Sequence, residues 1–276
     1  MSLGPFDLTG EPFLILYSIL LGVTVFLGLI IAHRLRPEGR AQRVTDVDQL
    51  AYLSGGRARF IDAFVARLLA AGSLHLVGRK TFDTGLVANG GSIAERNVLA
   101  STTPIGWPAI ERTLRTHVEP VERKLILSGL LMTDAERSNL RFWAVLPYLM
   151  LLVFGATKWV IGDMRERPVG FLTILLVLTA ICAFIRWKSV DNRTVAGRNA
   201  VFDAKRESVR LSRAPTDAEV ALAVALFGTI VLAGSAWSDF HLLRSASTGG
   251  DGGGGGSDSG SDGGGCGGGG CGGCGG

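Results

Sequence analysis

Runs of uncharged residues alternate along the chain with stretches in which apolar residues recur at helical spacing. Phe13 to Ala32 holds twenty residues without a charge. At about 1.5 Å per residue this covers the roughly 30 Å hydrocarbon core of a bilayer. It predicts a first membrane helix over 13–33. A second is expected over 142–162, with Pro147 inside it and Lys158 near its far end, where the ammonium reaches the headgroups. A third is expected over 169–185, between Pro168 and Arg186. A fourth is expected over 220–238, which is uncharged but rich in Ala and Gly, so a buried helix of the cytoplasmic part is the alternative.

Between the first two runs the pattern changes to amphipathic helices. Thr45 to Asp48 reads as a helix start, and Gly55-Gly56 reads as a break. Phe60, Ile61, Phe64, Val65, Leu68 and Leu69 then fall on one helical face, closed by Gly72. Leu74, Leu76 and Phe82 frame a short hairpin around Arg79-Lys80. Helix, helix and hairpin make a winged-helix-like pattern. RLLAAGSLHL (67–76) aligns with KLILSGLLMT (124–133), preceded by Ile110, Leu114 and Val118 on one face, so the unit is read as repeated, over about 44–82 and 104–138. Residues 83–103, rich in Gly, Asn, Ser and Thr, read as a linker. An amphipathic segment over 186–219 is expected to carry a helix from Thr194 to Leu211 with Val195, Phe202 and Val209 on its face.

Charge sets the expected orientation. The chain has 276 residues, 47% of them hydrophobic and only 19% charged, which excludes a single soluble globule. Segment 34–141 carries 16 Lys and Arg, and 186–219 carries eight; residues 1–12 carry none. Basic loops stay in the cytoplasm. The expectation is an external N-terminus (1–12), cytoplasmic segments 34–141 and 186–219, a multi-pass protein of the cell membrane, and an external tail. The lack of Lys or Arg before Phe13 argues against a signal peptide.

Motifs for catalysis are sparse. His33, His75, His117 and His241 show no metal-ligand spacing, and no Gly-x4-Gly-Lys loop occurs. Gly90-Gly91-Ser92-Ile93-Ala94 lacks the second Gly of a nucleophile elbow. Cys182 lies alone within the third run. No enzyme activity is expected. Segment 34–141 has 11 acidic residues against its 16 basic ones, too few in excess for a DNA-binding face, so a protein partner is the preferred reading for residues 44–138 and nucleic acid the weaker one.

Residues 245–276 form a Gly/Cys-rich tail that is expected to be disordered, since it has no apolar side chains to bury beyond Ala and Cys. The last 28 residues contain 19 Gly and three of the four Cys in the chain. Cys266, Cys271 and Cys274 are candidate metal ligands or sites of modification. Three thiolates without a fourth ligand fit Cu(I) better than structural zinc. Flanking Gly leaves each thiol open to a modifying enzyme.

The chain resembles a bacterial family of multi-pass membrane proteins of unknown function. The resemblance rests on Gly4-Pro5-Phe6 and Phe13-Leu14, on Ala51-Tyr52-Leu53-Ser54-Gly55-Gly56 with the Asp62–Gly72 helix after it, on Ala-Val-Ala-Leu-Phe-Gly at 223–228, and on the Gly/Cys tail. It implies no established activity. It does imply an association with multinuclear-iron oxidative enzymes that modify Cys in peptides, with the tail thiols as targets and Tyr52–Leu76 as a docking element.

The sequence therefore describes a mainly α integral membrane protein. It is read as a carrier of an exported Gly/Cys tail for Cu(I) or thiol chemistry, with the lipid bilayer and a Cys-modifying enzyme or other cytoplasmic protein as partners. The alternative is a membrane-tethered scaffold or regulator acting through the winged-helix-like repeats.

Overall fold

The computed structural model describes residues 10–78, 80–85, 91–101, 103–164, 170–213 and 215–248. It is mainly helical, and three of its helices are long and apolar enough to cross a membrane. These are α1 (Gly10–Arg34), α5 (Asp134–Asp163) and α6 (Gly170–Lys188). They pack on one another through small residues and a few polar contacts. A Cβ at Gly155 would strike Tyr17 and Leu176, so this glycine lets the three helices close up. The Tyr17 hydroxyl lies 3.1 Å from Thr179 Oγ1, which donates in turn to the Leu175 carbonyl at 2.7 Å. Paired hydroxyls are the form in which polar groups are tolerated between such helices. Lys158 lies over the Phe13 ring, 5.1 Å from its centroid.

The remaining elements form a second body beside these three helices. They are α2 (Val47–Ala70), β1 (Leu74–Val77), β2 (Thr81–Thr84), α3 (Ile93–Leu99), β3 (Ile105–Gly106), α4 (Trp107–Leu127), α7 (Val195–Glu207), α8 (Val220–Phe227) and α9 (Ser238–Thr248). The strands make an antiparallel sheet in the order β1-β2-β3, with Phe82 opposite Leu76 and Ile105. The helical face read from the sequence is buried as expected, from Phe60 to Leu69, and so are Ile110, Leu114 and Val118. All of them share one core with Val220, Val224, Ala225 and Phe240.

Four expectations need correction. First, residues 220–238 do not form a membrane span. The helix there is only eight residues long and ends at Gly228, whose φ of +91° suits glycine alone. A 3-10 turn over Thr229–Leu232 comes next. At about 12 Å, α8 is too short to cross a bilayer, and it is buried against α2 instead. The alternation that placed the tail outside loses its fourth crossing.

Second, the winged-helix-like repeat reduces to a shared helix cap. Gly72 and Gly129 both take positive φ and both end a helix with the paired N–H bonds of a Schellman motif. After Gly72 the chain forms the β1–β2 hairpin. After Gly129 it forms no hairpin but pairs with the connector behind α6, through a bridge between Leu131 and Arg193. Third, the linker 83–103 contains α3, capped by a box in which Ser92 and Glu95 bond each other's backbone N–H. Ser92 is thus a helix cap. Fourth, α7 buries Ala196, Gly197 and Val201, while Phe202 and Val209 are 59% and 53% exposed. The break expected at Gly55-Gly56 is present: both residues leave helical φ/ψ, and the helix resumes beyond the kink.

The three long helices and the second body meet at a neck of three connectors. Thr194 is buried there and donates to the Gly129 and Leu130 carbonyls, and its Oγ1 also accepts from Gly197 N. Val195 N and Ala196 N donate to the Pro37 and Glu38 carbonyls, and Met132 N to Asn192 O. A Cβ at Gly197 would land on the Leu130 carbonyl oxygen, while one at Gly22 on α1 meets nothing within 4 Å. Gly197→Ala is therefore expected to cost about 1–3 kcal/mol, as overpacking does, and Gly22→Ala to fall within about 0.5 kcal/mol of wild type. Thermal unfolding of the two variants in detergent checks both.

Candidate functional site

The Ala51–Gly56 and Ala223–Gly228 segments pack on each other. Ala51 and Leu53 of the first are buried in α2, and Ala223 to Leu226 of the second are buried in α8. The last carbonyls of a helix lack partners within it, and in α8 the Gly228 N–H serves that of Val224. Ser54 Oγ donates to the Ala225 carbonyl, and Arg59 Nη1 to the Val224 carbonyl at 3.3 Å. Arg59 also brings positive charge to the negative end of the helix dipole. The kink at Gly55-Gly56 (Gly56 φ +66°) turns α2 between Ser54 and Arg59. Gly228 makes room for the guanidinium, because a Cβ there would come within 2.7 Å of Arg59 Nη1.

One turn further along α2 stands Asp62, a buried carboxylate. Arg244 of α9 donates to it from Nε at 2.6 Å, and the guanidinium lies over the Trp107 ring at 4.2 Å from the centroid. Phe240, Phe82 and Trp107 close the other side of the contact, with centroids 6.0–6.3 Å apart. Burial pushes the Asp62 carboxyl above the ordinary carboxylate range, and the Arg244 and Arg59 guanidiniums pull it back. Tyr52, half-buried in the first motif, faces Glu122 of α4; burial and that carboxylate raise its phenol well above the usual value. These groups join α2 to α4, α8 and α9.

Among the described residues no three His, Cys, Asp or Glu side chains gather as a metal site would require. His117 Nε2 lies 3.2 Å from the Asn97 amide and His241 Nδ1 lies 3.2 Å from Thr229 Oγ1, in separate places. Cys182 is a free, half-buried thiol in α6. A groove of about 720 Å³ runs between residues 41–44 and α7; it is open, and its Glu207 is paired with Arg43 at 2.7 Å. The candidate metal or modification residues Cys266, Cys271 and Cys274 lie outside the described residues. The docking element that the resemblance implies over Tyr52–Leu76 is largely interior, leaving Arg57 and His75 among its exposed side chains. The Asp62–Arg244 pair was not anticipated from sequence, because its partners are 182 positions apart.

No family model, curated protein or solved structure matches the chain.

Both partners of the Asp62–Arg244 pair are largely shielded from water, with side-chain exposures of 12% and 14%. Removing one partner of such a pair costs about 3 kcal/mol, because it strands the other charge. Asp62→Ala is thus expected to release α9 and to speed amide exchange over residues 238–248 by roughly a hundredfold. Hydrogen-exchange mass spectrometry measures it. Asp62→Leu with Arg244→Met is expected to recover much of the protection, since no ion is then left unpaired.

Proposed function

We propose that the protein is a membrane-anchored platform that holds its Gly/Cys tail on the side of the second body, for chemistry at the thiols of Cys266, Cys271 and Cys274. The observation that carries this reading is the clamp on α9. This helix leads into the tail, and Arg244 fastens it to Asp62 of α2. The tail then starts from the body and not from the far side of the bilayer. The distribution of Lys and Arg makes that side the cytoplasm. Cytoplasmic thiols stay reduced, which favours thiolate coordination of Cu(I) or enzymatic modification over disulfide formation. Gly on both sides of each Cys leaves the backbone bare for a modifying enzyme to grip. The protein acts as carrier and anchor, without an activity of its own.

The test is the mass of the C-terminal peptide beyond Arg244, from the protein in its native host, before and after reduction and alkylation. A mass that departs from the encoded peptide, with fewer than three alkylatable Cys, is the expected result for modification. An encoded mass with three free thiols that bind Cu(I) supports coordination. An encoded mass with no Cu(I) binding excludes both. Replacing all three Cys by Ser is expected to leave the folded body intact and to abolish the thiol-linked phenotype. Deletion of 249–276 separates this reading from a scaffold acting through residues 44–138, which the deletion would spare.

A further inference from the structure

Arginines gather where the spans meet the neck. Arg36 lies two residues beyond α1, Arg186 lies in the last turn of α6, Arg193 sits in the connector behind it, and Arg198 stands in the first turn of α7. Among the described residues, Asp191 is the carboxylate that serves the group. Its Oδ2 lies 3.7 Å from Arg36 Nη1 and 2.8 Å from Arg193 Nε. The side chains of Arg36 and Arg193 are only 8% and 12% exposed. Their remaining partners include uncharged backbone. Arg36 donates to the Arg193 carbonyl, and Arg186 Nη2 donates to the Gly28 carbonyl at 3.0 Å. The Nε atoms of Arg36 and Arg186 are buried without a hydrogen-bond partner among the described residues.

Among the described residues this arrangement sets several guanidiniums around one carboxylate. Guanidiniums stay protonated in proteins, so the cluster cannot relieve its repulsion by losing protons. Burial and the neighbouring Arg198, Arg193 and Arg186 all weaken the hold of Arg36 on its proton, and Asp191 alone opposes them. Repulsion of this kind is relieved by an anion. The position of the cluster says which anion is at hand. Gly28 lies about 9 Å along α1 from Arg34, inside the apolar run. Arg186 therefore stands at the boundary between hydrocarbon and headgroups. Arg34, Lys188 and Arg198 are exposed near the same level, while Arg36 and Arg193 supply fixed positive charge behind them.

We propose that this cluster binds the phosphate of an anionic lipid headgroup at the junction of α1, α6 and the neck. Arg186 and the exposed Arg34, Lys188 and Arg198 reach the phosphate, and Arg36 with Arg193 set the field that selects an anionic headgroup over a zwitterionic one. The lipid then locks the bundle to the second body from the membrane side.

The experiment uses the full chain in neutral detergent. Phosphatidylglycerol, phosphatidylcholine and inorganic phosphate are titrated separately, with bound adducts counted by native mass spectrometry and the unfolding midpoint recorded. Phosphatidylglycerol is expected to bind at least tenfold tighter than phosphatidylcholine and to raise the midpoint, and millimolar inorganic phosphate to do neither. Arg186→Gln is expected to lose about fivefold in phosphatidylglycerol affinity, and Arg186→Lys to recover most of it. Arg198→Gln, an exposed change on α7, is expected to lose a similar factor without disturbing the fold, and the exposed Arg96→Gln on α3 to lose none. Equal binding of the two lipids, or unchanged affinity in both Arg186→Gln and Arg198→Gln, overturns the proposal. Saturation by micromolar inorganic phosphate overturns the lipid assignment and makes this a site for a soluble phosphate.

Discussion

The constraint on which this architecture rests is the satisfaction of backbone polar groups where the chain leaves the three long helices. Peptide groups shielded from water must find partners within the protein. Three connectors meet this demand by bonding one another. Thr194 serves two carbonyls and one N–H from a single hydroxyl. The first N–H groups of α7 find their acceptors in the connector behind α1. Because these bonds need backbones in near contact, the neck uses glycine at Gly197, where no side chain fits, and at Gly39 (φ +74°), packed on Thr194. The placement of the second body against the helix bundle is a result of this crossing.

Within the body, α8 shows how an apolar helix can be buried in protein instead of lipid. Val220 to Phe227 carries no charge and no polar side chain. Its core-facing residues fill the space against α2, and its open end is closed by Ser54 and Arg59. Apolar burial supplies the driving force in either setting. Length and the fate of the terminal carbonyls decide between them.

The sequence made the long-range pattern legible and left the pairings hidden. Long runs with at most one charge marked all three long helices, because so extended an apolar stretch leaves few other solutions. The buried face from Phe60 to Leu69 was legible for the same reason. Hydropathy alone could not separate 220–238 from a fourth crossing, since lipid and protein core look alike to it. The similarity of 67–76 to 124–133 was real at the level of a glycine cap, but a cap does not determine the path of the chain beyond it. The helical segment α3 was hidden by the Gly and Ser around it. Phe202 and Val209 suggested the wrong face of α7, because burial there belongs to small residues that admit the neck. At the candidate site, both motifs were visible as strings. That they are packing partners was not, nor was the clamp between Asp62 and Arg244.

The shared core of the body has a consequence for biosynthesis. Its first part, α2 through α4, emerges before the second and third long helices, and its last part, α8 and α9, emerges after them. Until Arg244 has been made, the face of α2 that receives α8 and α9 has no cover, and Asp62 lacks its nearest cation. The early part must wait, with apolar surface open, while the intervening helices enter the bilayer. Such half-built intermediates are the ones most exposed to aggregation. Completion of the body is thus coupled in time to insertion of the bundle, and a chain whose later helices fail to insert is left with a visible, unfinished core for quality control to recognise.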